Sequence, residues 1–170
     1  MNNYYYLVAS LPSLDFKDSP RVGKDVFLRE CGKWLSPRDM ETIRAAKISY
    51  SEKNENDAKI ISTWKMFDEE LREMLSAERF GRKRGEQHQS ARALSEALRE
   101  GTPLEKEIKY EKIRWDFLEE QGKQHFFNID RLVIYFLKLQ ILERLSNFNK
   151  DEGEKVFYNL CEVNYEKAIG

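Results

Sequence analysis

The stretch FFNIDRLVIYFLKLQILERLSNF, residues 126–148, constrains this chain more than any other. Asn128 is a favourable N-cap, Asp130 puts a carboxylate in the first turn, and neither Gly nor Pro interrupts residues 129–145, so the segment is predicted helical. Ile129, Leu132, Val133, Phe136 and Leu137 form one stripe at helical spacing, with Gln140 in line. Ile134, Tyr135, Leu139, Ile141, Leu142 and Leu145 cover much of the remainder. A helix that is apolar almost all round must be wrapped by other helices or by lipid. Lys138 and Gln140 break the run, and no span reaches the ~20 apolar residues that a bilayer needs. The segment therefore reads as the central helix, roughly 128–146, of an all-α bundle of six or seven helices in a soluble chain.

Composition supports that class. Hydrophobic residues make up 41% of the 170 positions, enough for a core, and the charged 35% sum to a net charge of -1. Charges so evenly mixed solvate helix faces and speak against a uniformly basic nucleic-acid binder. The length fits a single helical domain over 1–170, with room for a small N-terminal lobe over 1–52. Cys31 and Cys161 form no CxxC motif, and reduced thiols in a cytoplasmic chain are expected. Residues 1–16 lack the basic start of a secretory signal.

Along the chain, residues 4–11 favour a strand by composition but have no strand-like partner. A short helix or an extended piece packed on the bundle, ended by Pro12, is expected. A helix over about 24–34 would bury Phe27, Leu28, Cys31 and Trp34. Ser36-Pro37 with Asp39 starts the next helix, which carries Met40, Ile43, Lys47 and Tyr50 until the polar run at 51–57 ends it. From about Asn56 a longer helix aligns Ile60, Trp64, Phe67, Leu71, Met74 and Leu75 and ends near Phe80. A basic turn, GRKRG at 81–85, separates it from a helix over about 86–100. Thr102, Pro103 and Glu105 have capping-box spacing, and the helix that they open sets Leu104, Ile108, Trp115 and Leu118 on one face. Asn149 and Glu152 cap a last helix.

No catalytic constellation is visible, and no cofactor or metal site is expected. His88 and His125 are the only histidines; the first reads as solvated and the second as a polar contact at the start of the central helix. Adjacent Glu119 and Glu120 point in different directions on a helix, which makes a poor acid/base pair. The basic turn lacks the GxxxxGK[ST] pattern of a phosphate-binding loop. Arg82, Lys83 and Arg84 are the candidate docking residues for an acidic partner surface, against the plainer reading of a solvated helix-helix turn. RNA binding through them is disfavoured by the scarcity of nearby aromatics for stacking.

Two segments together carry a family resemblance: NYYYLVASLP at 3–12, and residues 111–157. The shared pattern runs through Arg114-Trp115, Phe126-Phe127, Asp130-Arg131-Leu132, Leu137-Lys138-Leu139, Glu143-Arg144 and the following Asp-Glu-Gly. They resemble a bacterial family of unassigned function encoded among the subunits of V-type ATP synthases. The central helix is also distantly similar to the helical repeats of the C/d family of V-type ATPases, the funnel that joins the central shaft to the membrane rotor ring. The resemblance implies a non-catalytic accessory or central-stalk component of a machine that moves protons or sodium. Such a protein would bind the rotor shaft and, through a second surface, the membrane rotor ring, remaining cytoplasmic and peripheral at the inner face of the membrane. At 170 residues the chain is about half a complete funnel of that kind. A regulatory adaptor docking on the ATPase or another partner is the alternative, and a small RNA-binding module a further one.

Overall fold

The computed structural model describes residues 4–49, 54–84 and 101–148, and for residues 78, 79 and 81–84 the backbone alone. The described residues form six α-helices and no strand: α1 Tyr5–Ser10, α2 Lys24–Trp34, α3 Pro37–Ala45, α4 Lys59–Arg84, α5 Pro103–Gly122 and α6 Ile129–Ser146. The all-α class is thus as the sequence predicts. The expected helices over 86–100 and after Asn149 lie outside the described residues, as do His88, Tyr50 and Cys161.

Helix α6 is the core element. Its N-cap is Asn128, whose side chain accepts from the Arg131 amide at 3.1 Å. Leu132, Val133, Ile134, Phe136, Leu137, Leu139, Ile141 and Leu142 are all buried, which puts apolar contacts around most of the helix circumference. Helices α2, α3, α4 and α5 each pack against it, and α1 packs on α2. Phe27 of α2 stacks on the rings of Tyr135 and Phe136, at 5.3 and 5.5 Å between centroids.

Local chemistry sets the starts of α3 and α5, as it does that of α6. Ser36 Oγ accepts from the Asp39 amide at 3.2 Å with Pro37 in the first turn. The capping box of α5 is complete, the Thr102 amide donating to Glu105 Oε2 at 2.7 Å and the Glu105 amide to Thr102 Oγ1 at 3.2 Å. Residues 4–11 resolve to the short helix α1, which ends before Pro12.

Four expectations need correction. Helix α3 stops at Ala45 and does not run on to the polar segment, so Lys47 is off the helix and exposed. Three side chains from other helices hold the backbone that follows. Gln140 Nε2 donates to the Ala46 carbonyl at 2.9 Å and its Oε1 accepts from the Ile48 amide at 3.3 Å. Trp64 Nε1 donates to the Lys47 carbonyl at 3.0 Å, and Arg114 reaches the Ile48 carbonyl at 3.4 Å. Backbone groups satisfied from outside no longer need a helical partner. Trp34, expected in the core, is 59% exposed, because the chain turns extended at Leu35 and that leucine packs on the core instead. Leu104 and Ile108 are exposed although Trp115 and Leu118 on the same stripe are buried. Antiparallel pairing of α5 with α6 matches Lys138 to Glu119 and Arg144 to Glu107 and Glu111, so the first turns of α5 reach past the end of α6. Finally, residues 81–84 belong to α4 and are not a turn.

Candidate functional site

The N-terminal helix and the α5–α6 connection meet at one end of the bundle. Tyr4 is the anchor: it is buried, its hydroxyl donates to Asp39 Oδ2, and its amide donates to the Phe127 carbonyl at 2.8 Å. Leu7, one helical turn on, is also buried. A helix of only six residues has little stability of its own, so these contacts fix which way it faces. With Tyr4 and Leu7 inward, Tyr5 and Tyr6 turn outward, 50% and 77% exposed. Phe127, in the bend between α5 and α6, is 39% exposed beside Tyr5, and its chain neighbour Phe126 is 69% exposed. The Tyr5 ring lies 4.6 Å from that of Phe127 and 5.6 Å, edge-on, from that of Tyr6. Aromatic side chains exposed singly are ordinary; a contiguous group on a rigid scaffold is the composition of an interaction surface.

The rim of this face is polar and nearly neutral. His125 Nδ1 lies 3.0 Å from Asn128 Nδ2 and 3.3 Å from Asp130 Oδ2, the polar contact at the helix start that the sequence suggests. Lys123 Nζ donates to Glu120 Oε2 at 2.5 Å. Glu120 and Glu119 diverge, the latter pairing with Lys138 on α6, so these two carboxylates form no catalytic pair. Among the described residues no group of His, Cys, Asp and Glu side chains could hold a metal ion. No described helix is long and apolar enough to cross a membrane.

A buried ionic cluster ties α4, α5 and α6 together. Arg114, 1% exposed, donates through Nε to Asp68 Oδ1 at 2.8 Å, through Nη2 to the same carboxylate, and through Nη1 to Glu111 Oε1 at 3.1 Å. Its guanidinium also lies over the Tyr110 ring at 4.5 Å. Arg72 completes Asp68 at 2.7 Å, and Arg144 Nε reaches Glu111 Oε1 at 3.1 Å. Glu111 Oε2 is buried and has no hydrogen-bond partner among the described residues. Burial raises the Glu111 carboxyl above the ordinary value, and the charges of Arg114 and Arg144 offset this only in part. Arg114, Asp68 and Glu111 are enclosed, while the Arg72 and Arg144 side chains are 40% and 45% exposed, and together these ties hold the three helices to one another. The Cys31 thiol, also enclosed and free, is pushed up to about 12 by burial, with the Glu30 charge adding to this, and is poorly suited to nucleophilic work.

Of the sequence-derived docking candidates, Arg82, Lys83 and Arg84 occupy the last turn of α4, and their side chains lie outside the described residues. Sequence reasoning missed the aromatic face. Its signal was present in the run of three tyrosines at 4–6 and the Phe126-Phe127 pair, yet their proximity depends on about 120 intervening residues of fold.

The geometry defines an all-α bundle organised on one enveloped helix, with an aromatic face at one end. A family described as "Protein of unknown function (DUF2764)" matches residues 85–165, just under half of the chain, so this part is similar to that family. No curated protein and no solved structure matches the chain.

Proposed function

We propose that this chain is a non-catalytic binding component of a bacterial V-type ATP synthase, docking on other subunits of the central stalk through the aromatic face at Tyr5, Tyr6, Phe126 and Phe127. One observation carries the reading. The two segments that resemble the V-type-associated family, 3–12 and 111–157, lie far apart in sequence, yet their aromatics touch, Tyr5 against Phe127 at 4.6 Å. A partner that needed both segments would account for their joint pattern. Exposed Tyr and Phe around a buried anchor are the residue types that concentrate binding energy at protein interfaces.

The same face argues against the RNA-binding alternative. Base stacking would use the rings, but nucleic-acid affinity needs unpaired cations beside them. Lys123 at the rim is held by Glu120, and Asp130 adds a further negative charge. A rotor component and a regulatory adaptor would both use such a face, and stoichiometry separates them. The protein would sit in the cytoplasm, peripheral to the membrane through the complex.

The test is purification of the tagged protein from its own cells in mild detergent, with every co-purifying protein identified and counted. Recovery of V-type ATPase subunits at a fixed small ratio is the expected result. Substoichiometric recovery with the intact complex would favour the adaptor. Recovery of none of them, from cells shown to contain the assembled enzyme, would overturn the proposal. Arg82, Lys83 and Arg84 remain a second candidate contact, and charge swaps there that leave assembly untouched would remove them from it.

A further inference from the structure

A groove of about 290 Å³ opens between α1, the loop after it, and the facing sides of α5 and α6. Its walls divide by chemistry. Val8, Leu11 and Leu14 supply apolar surface, with the buried Ile134 beneath them. Arg131, Lys138 and Ser13 supply donors, and among the described residues Glu119 is the one carboxylate in the lining. The Tyr135 hydroxyl closes one side by donating to the Pro12 carbonyl at 3.0 Å, which anchors the loop.

The two cations are differently placed. Lys138 is 6% exposed, pairs with Glu119, and lies over the Trp115 ring at 4.7 Å. Burial lowers its ammonium from the ordinary value; the hydrogen bond and charge of Glu119 oppose this, and the nearby charge of Arg131 adds to it. Arg131 reaches only the Gly122 carbonyl, at 3.4 Å, and among the described residues it has no carboxylate partner. Gly122 makes room for that guanidinium, since a Cβ there would come within 2.7 Å of Arg131 Nη1. Among the described residues the charged lining therefore sums to one uncompensated positive charge, beside the apolar side chains.

We infer that this groove binds a small amphipathic carboxylate, its anionic head on Arg131 and Lys138 and its apolar body along Val8, Leu11 and Leu14. A guanidinium without a carboxylate partner is suited to bidentate pairing with one. At the ~30 Å³ that a water molecule takes up in the liquid, the volume corresponds to roughly ten non-hydrogen atoms, the size of a medium-chain carboxylate. The inference stands independently of docking on the ATPase, because the groove and the aromatic face use different residues.

Octanoate is the probe, titrated at low millimolar concentration into the full chain by calorimetry, with octanol as the uncharged control of equal chain length. Wild type is expected to bind octanoate saturably, one per chain, and octanol at least about tenfold more weakly, the loss expected for a charge-assisted hydrogen bond. Arg131→Gln should weaken octanoate by a similar factor. Glu119→Gln, which removes the carboxylate competing for Lys138, should tighten it several-fold, an effect that a merely structural role for Glu119 would not produce. No saturable binding of octanoate would overturn the inference. So would octanol binding as tightly as octanoate, or both variants binding octanoate as wild type does.

Discussion

Arg114 sits 1% exposed among aromatic and aliphatic side chains, and its guanidinium is matched by the carboxylates of Asp68 and Glu111. Taking a charge out of water costs several kcal/mol, and only close pairing returns it, so breaking such a pair costs more than the pair contributes. Arg114→Met leaves Asp68 and Glu111 without their shared cation and should lower the stability of the fold by about 3–5 kcal/mol, read as a shift in urea midpoint. Glu111 gives a pH signature of opposite sense to the usual carboxylate. Between the ordinary glutamate value of 4.5 and its raised native value, the folded chain holds a proton that the unfolded chain has released. Its contribution to stability is therefore full below about 4.5 and is lost as pH rises through the native value. Glu111→Gln should remove this component, so that the fall in unfolding free energy above about pH 4.5 is shallower than in wild type; an unchanged slope would contradict the raised value. Little of this was legible in the sequence. Arg114 stands out there as a charge beside Trp115, but Asp68 is 46 positions away and on another helix, and no periodicity links them.

At the scale of elements, α6 was the most legible part of the molecule, since Asn128, the unbroken run to Leu145 and the apolar circumference dictate its start, extent and burial together. The capping residues and Pro positions that open α3 and α5 were legible for the same reason: they act within a single helical turn. Helix ends governed from elsewhere were not. The stop of α3 at Ala45 depends on Gln140, Trp64 and Arg114 holding the 46–48 backbone, contacts that cross the whole chain. Gln140 looks in the sequence like a flaw in an apolar stripe; in the fold it clamps this segment. Gln140→Leu should accordingly cost about 1–3 kcal/mol and speed amide exchange at Ile48 more than in the buried turns of α6. Equal acceleration at both places would mean that the residue acts only through general stability.

As a whole, the described residues bury an ionic cluster together with Trp64, Trp115 and Phe27, and leave Tyr5, Tyr6, Phe126 and Phe127 exposed at one end. An enveloped helix with ionic ties between α4, α5 and α6 makes a rigid support, and α1 is bonded to it through Tyr4 so that Tyr5 and Tyr6 face outward with Phe126 and Phe127. The family match covers residues 85–165 and gives no sign that Phe127 meets Tyr5; that contact required the three-dimensional path. The most direct test of the docking account compares wild type with the Tyr6→Ser/Phe126→Ser double variant, both tagged and expressed in the native cells. These two side chains are 77% and 69% exposed, so the variant should keep the helical signal and melting behaviour of wild type. The account predicts that wild type recovers V-type ATPase subunits and that the folded double variant loses them by at least about tenfold, as two interface hot spots together would dictate. A folded double variant that recovers the same subunits in the same ratio as wild type would contradict it.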